Sequence, residues 1–357
     1  MPIIFDNIIF ELQRAGGIST YWAELIKRFS SDSSSHIFLE GSRAKKNKAR
    51  SDLALSSESI KNSVFASRLS RYFPVPTFHS KDCLFFSSYY RIPTCRRNKV
   101  IVTVHDFVYE KFMYGWKKSI HSLQKEIAIN RADAIICVSN NTKHDLLGFF
   151  PLIDEKKVHV IYNGVSEDFY PIPDEKLRLC LLSKIGIQPG YVIYVGSRIS
   201  YKNFPVAVQS LRKLPGLVLV CVGGGPFSGQ EMRFLTKNLE NRFIHLSPNT
   251  FDLNVLYNNA LCLLYPSSYE GFGIPLVEAM KAGCPVIAVG TSSIPEVVGD
   301  AGIIIGSLSQ EEIIESIRFL EDSTIRQEQI YKGLNNSNKF SWDKCYEEHR
   351  KLMQSLS

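Results

Sequence analysis

The chain lacks several features that define common protein classes. Its 357 residues contain no run close to the roughly 18 consecutive apolar residues of a membrane-spanning helix. The first residues, Met1 to Asp6, show no basic segment followed by an apolar one, so they do not predict a signal peptide. The eight cysteines form no Cys-x-x-Cys pair, and several lie in apolar runs. We therefore expect reduced, buried cysteines in a cytoplasmic protein.

Motifs of other nucleotide-binding and metal-binding proteins are also missing. Neither the Gly-x-Gly-x-x-Gly fingerprint nor the Gly-x-x-x-x-Gly-Lys-Ser/Thr phosphate loop occurs, which disfavours dehydrogenases and NTPases. The eight histidines show no His-x-x-x-His spacing, and no Asp-x-Asp motif stands at a predicted strand end. We therefore predict no metal site.

Positive charge is concentrated in the first half of the chain. Residues 1–170 hold 24 Lys and Arg against 17 Asp and Glu, whereas residues 171–357 hold 18 of each. Clusters lie at Arg43–Arg50, Arg91–Lys99 and Lys117-Lys118. Basic residues near an anionic membrane gain about 1 kcal/mol each, so we expect the basic N-terminal domain to contact the inner membrane surface. The clusters lack interleaved aromatics for stacking on bases, so nucleic acid is not an expected partner.

Short apolar strands alternate with helical segments along the chain, which predicts an α/β fold with parallel sheets. The strands predicted in the first half are Ile3–Phe5, His36–Leu39, Cys83–Phe86, Val100–Val104, Ala134–Val138 and Val158–Ile161. After a linker at Val165–Pro173, those of the second half are Val192–Val195, Leu217–Val222, Phe243–Leu246, Leu261–Leu264, Val286–Val289 and Ile303–Ile305. The polar stretch Gly41–Lys81 has weak periodicity, and we interpret it as a mobile loop followed by a helix.

Two glutamates, Glu270 and Glu278, flank the sequence Gly-Phe-Gly-Ile-Pro-Leu-Val. The apolar run Leu261–Tyr265 predicts a buried strand, and Pro275 suits the first position of a following helix. Glu270 would then lie in the loop at the carboxyl end of a strand and Glu278 in the first helical turn, where open α/β sheets bind ligands. Because a carboxylate repels phosphate, we expect both to accept hydrogen bonds from sugar or ribose hydroxyls. The alternative is a surface acid and an acid favoured by the helix dipole.

Two cations follow the predicted strand Val192–Val195. Arg198 and Lys202 stand close together after Gly196, which relaxes the turn. Arginine can bind two oxygens as a fork, and lysine acts as a compact point charge, so the pair suits a diphosphate that gains negative charge as it leaves. The alternative is a pair of ordinary surface cations.

Glycines provide two further candidates for phosphate or nucleotide contacts. Gly16 and Gly17 open the helix that follows the first strand, and glycine there lets backbone N–H groups approach phosphate closely. Gly223 begins a Gly-Gly-Gly-Pro loop after the strand Leu217–Val222, which we expect near a nucleotide. For the pair Gly16-Gly17 the alternative is a simple turn.

His105 directly follows the strand Val100–Val104 and precedes Asp106. A histidine at the ligand edge of a sheet can hydrogen-bond a substrate or a leaving oxygen, with Asp106 orienting the ring or contacting an acceptor. An ordinary histidine beside a capping aspartate is the alternative.

The stretch from Ser267 to Met280, Ser-Ser-Tyr-Glu-Gly-Phe-Gly-Ile-Pro-Leu-Val-Glu-Ala-Met, resembles the signature of retaining glycosyltransferases of family 4. The resemblance extends over nearly the whole chain. It implies the GT-B fold, in which two Rossmann-like, doubly wound parallel-sheet domains face each other across a cleft. Residues 1–168 would form an acceptor-binding domain and residues 169–342 a domain that binds the nucleotide sugar. The last helix, at about residues 343–357, would pack back on the first domain.

The resemblance also implies roles for the candidate residues. Arg198 and Lys202 would hold the diphosphate, Glu278 the ribose, and Glu270 the sugar together with backbone amides of the next turn. The implied catalytic residues are His105, Glu270, Arg198 and Lys202. The implied contacts with the nucleotide sugar are Gly16, Gly17, Gly196, Arg198, Lys202, Gly223, Ser267, Phe272, Gly273, Ile274 and Glu278.

The activity implied is that of a metal-independent, retaining hexosyltransferase, with a nucleotide diphosphate sugar as donor and no bound cofactor. GDP-mannose is our first expectation for the donor, followed by a UDP-hexose. The acceptor would be a lipid-linked oligosaccharide or another saccharide in polysaccharide or lipopolysaccharide O-antigen synthesis, at the inner face of the cell membrane. Alternatives are a GT-B epimerase or phosphorylase, and a non-catalytic subunit that binds nucleotide sugars.

Overall fold

The chain forms two compact units. The computed structural model describes residues 1–32, 36–62, 68–77 and 83–356, apart from the side chains of Arg68, Leu69 and Lys117. The first unit comprises Met1–Gly164 and Trp342–Ser357, and the second comprises Val165–Ser341. The boundary between the two units falls after residue 164, whereas the sequence analysis placed it after residue 168.

A parallel sheet forms the centre of the first unit. Its strands, within the described ranges, pair in the order β3-β2-β1-β4-β5-β6-β7. They are β1 (Ile3–Asp6), β2 (His36–Glu40), β3 (Ile60–Asn62), β4 (Leu84–Ser87), β5 (Lys99–Val104), β6 (Ala134–Cys137) and β7 (Val158–Val160). The direction of winding reverses between β1 and β4, so the loops that follow these two strands open at the switch point of the sheet.

Helices cover this sheet. They are α1 (Ile9–Leu12), α2 (Gly17–Ser30), α3 (Lys48–Ser51), α4 (Val108–Phe112), α5 (Trp116–Arg131), α6 (Asn140–Phe149) and α15 (Trp342–Ser355). Apolar side chains at helical spacing on α2, from Tyr21 to Phe29, pack on β1 and β4 in the core. Trp342 and Met353 of the last helix join the same core, so α15 belongs to the first unit.

The second unit repeats the plan with another parallel sheet. Its strands, in the order β10-β9-β8-β11-β12-β13, are β8 (Tyr191–Val195), β9 (Val218–Val222), β10 (Phe243–Leu246), β11 (Leu263–Tyr265), β12 (Val286–Val289) and β13 (Ile303–Ile305). Its helices are α7 (Glu175–Lys184), α8 (Phe204–Arg212), α9 (Gly229–Leu239), α10 (Thr250–Asn259), α11 (Ile274–Lys281), α12 (Ile294–Val298), α13 (Gln310–Phe319) and α14 (Ser323–Ser337). The predicted fold class, two doubly wound parallel sheets, is confirmed.

Strand β3 corrects the prediction for Gly41–Lys81. It pairs in parallel with β2 at the edge of the sheet, where the sequence suggested a loop followed by a helix. Lys61 and Asn62 are exposed, so this short edge strand shows no alternating apolar pattern. Helical structure in the described part of the stretch consists of α3 and the 3₁₀ turns Ala44–Lys46 and Arg68–Tyr72. The predicted positions 63–67 and 78–81 lie outside the described residues.

The structure refines the expected basic surface, of which Arg43, Lys45, Lys46, Lys48, Arg96, Arg97 and Lys99 are exposed. Arg50 and Arg91 belong to the predicted clusters, yet both are buried. Arg50 donates from Nε and Nη2 to the two carboxylate oxygens of Glu40, at 2.6 Å and 2.9 Å. Arg91 Nε lies 3.4 Å from a carboxylate oxygen of Asp6. Each buried pair holds the local structure together, and neither arginine is available to a membrane.

Replacing Arg50 tests the buried pair. Arg50→Met should lower the free energy of unfolding of the first unit by about 3–5 kcal/mol, because it leaves the Glu40 carboxylate buried without its partner. All three tryptophans lie in this unit, so urea unfolding followed by tryptophan fluorescence reports on it. Lys45→Met, at an exposed position, should change the free energy of unfolding by less than about 0.5 kcal/mol. Equal losses in the two variants would contradict the assigned role.

Candidate active site

The loops that follow β8 and β11 lie side by side at the switch point of the second sheet. Asn203 joins them, because its side-chain amide donates to the Pro266 carbonyl at 2.8 Å and to the Ser268 hydroxyl at 2.6 Å. The Ser268 N–H donates to the Tyr201 carbonyl at 2.8 Å. Asn203 has a positive φ of 51°, which asparagine tolerates better than most residues. Sequence reasoning missed Asn203, although it directly precedes the Phe-Pro start of α8.

Lys202 and Glu270 form an ion pair at this edge. Lys202 Nζ donates to Glu270 Oε1 and lies 3.4 Å from the Tyr265 hydroxyl. Both charged side chains are partly exposed, so a ligand can reach them. The sequence predicted a diphosphate for Lys202 and sugar hydroxyls for Glu270, and in this structure each residue satisfies the other. A diphosphate sugar would give Lys202 another anionic partner and would give Glu270 hydroxyl donors in place of the ammonium.

The loop after β12 fixes the backbone around Glu270. The Glu270 N–H donates to the Ser292 hydroxyl at 2.8 Å. The Ser293 hydroxyl lies 3.0 Å from the Glu270 carbonyl and 3.2 Å from the Phe272 carbonyl, and can donate to either. Ser292 has a positive φ of 50°, an uncommon conformation for serine. Sequence reasoning gave neither serine a role, because their partners lie more than twenty residues away along the chain.

Gly273 ends this loop and precedes α11. Its φ of +94° favours glycine, and a Cβ at this position would also lie 2.7 Å from Leu276 Cδ1, which would have to move. Because Gly273 in the left-handed conformation closes the loop, the helix begins at Ile274 and Pro275 takes the second position. Glu278 therefore lies beyond the first helical turn, which corrects the sequence prediction.

Glu278 has an unusual protonation equilibrium. Desolvation by the surrounding protein raises the pKa of its carboxyl to about 7, and a hydrogen bond opposes this rise only in part. The Tyr257 hydroxyl is that partner and donates to Glu278 Oε2 at 3.3 Å. The carboxyl is therefore about half protonated near neutral pH. Hydroxyl groups that donate to it would stabilise its ionised form.

Arg198 is engaged within the protein. Its Nε donates to Glu231 Oε1 at 2.6 Å, and its Nη atoms donate to the carbonyls of Gly223 at 3.0 Å and Gly225 at 2.9 Å. Residues 223–225 have φ values of +71° to +81°, a run that glycine adopts most easily. The Arg198 side chain is only 4% exposed. It therefore holds the glycine loop, and the predicted contact with phosphate would require these bonds to break.

Other predicted residues of this unit shape the loops from inside. The buried Ser267 hydroxyl donates to the Tyr269 carbonyl at 3.0 Å. The Phe272 ring is buried and packs edge-on against Phe340, with ring centroids 5.5 Å apart. Gly196 directly follows β8, and its N–H donates to the Val222 carbonyl at the end of β9 at 2.9 Å. A ligand contact from Phe272 would therefore come from its backbone.

In the first unit, the glycine pair stands at a helix start. Gly16 is the N-cap of α2 and Gly17 is the first residue of this 14-residue helix. The Ser19 hydroxyl donates to the Gly16 carbonyl at 2.9 Å. The arrangement has the form predicted for the approach of an anion.

His105, at the end of β5, is neutral at physiological pH. Burial lowers its pKa to about 3, and the nearby charge of Lys125 adds to the effect. The Tyr21 ring meets the His105 ring edge-on, with centroids 4.9 Å apart. The Tyr21 hydroxyl lies 2.7 Å from His349 Nε2, and His349 Nδ1 lies 2.7 Å from the Cys345 carbonyl. Because the carbonyl requires a proton on Nδ1, Nε2 accepts from Tyr21. Helix α15 thus supports the ring that packs on His105.

A buried ion pair holds the loop after His105. Lys125 Nζ donates to the Asp106 carbonyl at 2.9 Å and to Glu110 Oε2 at 2.8 Å. Burial would raise the pKa of Glu110, but hydrogen bonding with His121 and the charge of Lys125 outweigh it and lower the pKa to about 2. Sequence reasoning missed Lys125 and Glu110, because a lysine on a helix is normally solvated.

Three further observations concern expected absences. Within the described ranges, no three His, Cys, Asp or Glu side chains gather as a possible metal site. The eight cysteines, all of them described, form no disulfide. No helix in the described part of the chain combines the length and hydropathy that crossing a membrane requires. Metal independence concerns the reaction and stays a prediction.

Two family profiles match the chain. The profile described as Glycosyltransferase Family 4 matches residues 15–169, and the one described as Glycosyl transferases group 1 matches residues 183–335. Together the two matches include every candidate residue named above. The chain belongs to the family 4 glycosyltransferases.

Relatives and solved structures agree with this assignment. The O-antigen chain mannosyltransferase B of Escherichia coli is 28% identical over 282 residues, which cover 74% of this chain and 72% of that protein. The structure of HepE from Anabaena in complex with UDP and glucose has a TM-score of 0.75 at 18% identity and covers 99% of both chains. The structure of WaaG, a glycosyltransferase involved in lipopolysaccharide biosynthesis, has a TM-score of 0.73 at 16% identity and covers 98% of this chain and 99% of its own. These structures confirm the predicted GT-B fold of this glycosyltransferase.

The affinity for a nucleotide sugar should depend on pH through Glu278. Between about pH 6 and pH 8 its ionised fraction rises about tenfold for a pKa near 7. In the ribose contact that the sequence predicts for Glu278, the carboxylate accepts hydroxyl hydrogen bonds more strongly than the protonated acid does, so the Kd should fall by up to about tenfold over this range. The Kd can be measured by calorimetric titration with an intact nucleotide diphosphate sugar, because this ligand has no terminal phosphate that would itself titrate in this pH range. Glu278→Gln should bind more weakly and without this pH dependence, and an unchanged pH profile in the variant would contradict the assignment.

Proposed function

We propose that this glycosyltransferase is a retaining hexosyltransferase that moves a sugar from a nucleotide diphosphate to a saccharide acceptor. The observation that carries the proposal is the accessible Lys202–Glu270 pair at the switch point of the second sheet. One partner suits a diphosphate and the other suits sugar hydroxyls, which are the two parts of such a donor. The family and the mannosyltransferase relative support the same reading.

In this proposal the donor lies along the loops of the second unit. Lys202 exchanges its carboxylate partner for the diphosphate, and Glu270 then accepts hydrogen bonds from the sugar. The backbone of Phe272 and Gly273 adds donors beside Glu270, and Glu278 takes the ribose hydroxyls. Arg198 positions the glycine loop and reaches the diphosphate only if it leaves Glu231. We propose that these cations neutralise the leaving group without a metal ion or another bound cofactor.

The reaction itself would keep the anomeric configuration. The bond between the anomeric carbon and the diphosphate oxygen breaks, and its electron pair leaves with the diphosphate. The acceptor hydroxyl attacks the same face of the oxocarbenium-like sugar, and its proton passes to the departing phosphate oxygen. His105, neutral at physiological pH, acts as a hydrogen-bond partner of a substrate oxygen and not as a cationic acid.

The relatives and the distribution of charge support a proposal for the acceptor and the setting. The first unit has 27 Lys and Arg against 18 Asp and Glu, whereas the second has 15 against 17. We propose that the first unit binds a lipid-linked oligosaccharide at the inner face of the cell membrane, in polysaccharide or lipopolysaccharide O-antigen synthesis. GDP-mannose is the first candidate donor, since the relative named above is a mannosyltransferase, and a UDP-hexose is the next.

A donor panel tests the proposed activity. Purified protein is incubated with GDP-mannose, UDP-glucose, UDP-galactose or dTDP sugars and a lipid-linked saccharide acceptor, and products are identified by mass and by anomeric coupling in NMR. Transfer with an α-linked product from an α-linked donor is expected for one of them. Consumption of a nucleotide sugar without any acceptor would favour an epimerase, and an inverted product would contradict retention.

The ion pair provides a sharper test of the site. Lys202→Ala and Glu270→Ala should each lower kcat/KM by about 100-fold to 1000-fold, because each removes a contact with the reacting groups. The double variant should remain inactive, although it removes the unpaired charge that each single variant leaves. Recovery of activity in the double variant would show a structural role only. Lys213→Ala, in an exposed pair with Glu311 of the same unit, is the control and should retain activity.

A further inference from the structure

A cavity opens at the carboxyl edge of the first sheet, close to the start of α2. Its volume is about 600 Å³, which lies in the range of roughly 300–1,000 Å³ that small-molecule sites occupy. Two segments form its walls, residues 10–14 after β1 and residues 43–46 after β2. These segments meet because β1 and β2 are parallel neighbours. We call this cavity the β1–β2 pocket.

Hydrogen bonds join the two walls of the pocket. The Lys48 N–H donates to the Arg14 carbonyl at 2.8 Å, and the Asn47 side-chain amide donates to the Gln13 carbonyl at 2.9 Å. Asn47 is itself buried and caps α3. The walls are therefore fixed by backbone and buried contacts.

A buried glutamate contributes to the lining. Glu11 is only 8% exposed. Its carboxylate lies against Gly41, where a Cβ would collide with it, and the Gly41 backbone contributes a hydrogen bond. Glu11 Oε2 has no hydrogen-bond partner among the described residues. A buried polar atom without a partner costs free energy, and a ligand hydroxyl can supply the missing bond after a small rotation of the carboxylate.

Three cations also line the pocket. They are Arg14, Arg43 and Lys46, and all three are exposed. None of them has a carboxylate within ion-pair distance in the part of the chain that the structure describes. The lining thus carries three positive charges against the single carboxylate of Glu11. Solvated surface cations are common, but three unpaired cations around a built cavity form a site for an anion.

The pocket adjoins the glycine start of α2. Gln13 lines the pocket, and its Oε1 would lie 2.7 Å from a Cβ at Gly16. Gly16 is the N-cap of α2, and a glycine helix start of this form suits a diphosphate. A sugar in the pocket would therefore lie beside the leaving group of the donor, where an acceptor must be.

We propose that the β1–β2 pocket binds the saccharide acceptor through a negatively charged group attached to the sugar. Arg14, Arg43 and Lys46 contact this group, and Glu11 accepts a hydrogen bond from a sugar hydroxyl. The charge is a carboxylate on the sugar or a phosphate at its reducing end, since both present oxygens to which arginine and lysine donate. The inference rests on the proposed function and adds to it the charge of the acceptor.

Probes that differ in charge test the pocket without any donor. They are methyl glucoside, which is neutral, methyl glucuronide, which carries a carboxylate, and glucose 1-phosphate, and their Kd values are measured by ligand-observed NMR titration. At least one charged probe should bind about tenfold more tightly than the neutral one, because charge-assisted hydrogen bonds are stronger than neutral ones. The tighter of the two identifies the source of the charge. Equal binding of all three probes would overturn the proposal. Equally tight binding of inorganic phosphate would also overturn it and show an adventitious ion only.

Two double variants separate the pocket from the general basic surface. Arg43→Gln/Lys46→Gln removes two cations of the lining, and Lys45→Gln/Lys48→Gln removes two exposed cations of the same segment that lie outside it. The first variant should reduce the preference for the charged probe to less than about twofold and should raise the acceptor KM with little change in kcat. The second should behave like the wild type, and equal losses in the two variants would contradict the assignment.

Glu11→Gln provides an independent measurement. It should weaken binding of the neutral probe by about threefold to tenfold, because an amide accepts a hydroxyl hydrogen bond less strongly than a carboxylate does. The charged probe should lose less, since a negative charge near its anion is removed as well. Unchanged binding of the neutral probe would contradict the role of Glu11.

The measurements also separate the pocket from the proposed function. All three variants should keep the melting temperature of the wild type and its Kd for a nucleotide diphosphate sugar. Binding with these preferences by a protein without transferase activity would remove the proposed function and leave the pocket standing. Transfer with an acceptor KM that Arg43→Gln/Lys46→Gln does not change would leave the function standing and overturn the pocket.

Discussion

In a parallel sheet all strands end at one edge, and this constraint organises the chemistry of both units. Residues far apart in the chain meet there because their strands are neighbours. In the second unit, Asn203 bonds the loop after β8 to the loop after β11. The loop after β12 then supports Glu270 through Ser292 and Ser293. The position of the Glu270 carboxylate is thus set by three strand ends and does not depend on its own turn alone.

Each ligand edge contains a lysine paired with a glutamate, and the two pairs differ in access. The side chains of Lys202 and Glu270 are 13% and 12% exposed, so a ligand can reach them. Lys125 is fully buried with Glu110, and breaking that pair would leave a charge in a poorly solvated interior. The first pair is suited to exchange with a ligand. The second is suited to hold the loop after His105 in place.

The sequence predicted the elements that carry local signals. Apolar runs located twelve of the strands described above, and the Glu270–Glu278 stretch pointed to the edge where the loops after β8, β11 and β12 meet. It did not predict β3, because Lys61 and Asn62 at a sheet edge lack an apolar pattern. It also did not predict that Arg198 bonds Glu231, since that partner lies on another helix. Long-range pairing of this kind is decided by the packing of elements, which local patterns do not contain.

Helix α5 shows how local patterns can mislead in a physically informative way. Although Trp116, Ile120, Leu123 and Ile127 are exposed, their spacing is the one that usually marks the inward-facing side of a helix. The charge of Lys125 reverses this orientation, because its ammonium bonds both Glu110 and the Asp106 carbonyl. Those bonds fix the helix rotation and leave the apolar side outside. The same contacts that position the loop after His105 therefore leave these four apolar side chains on the outer side of the helix.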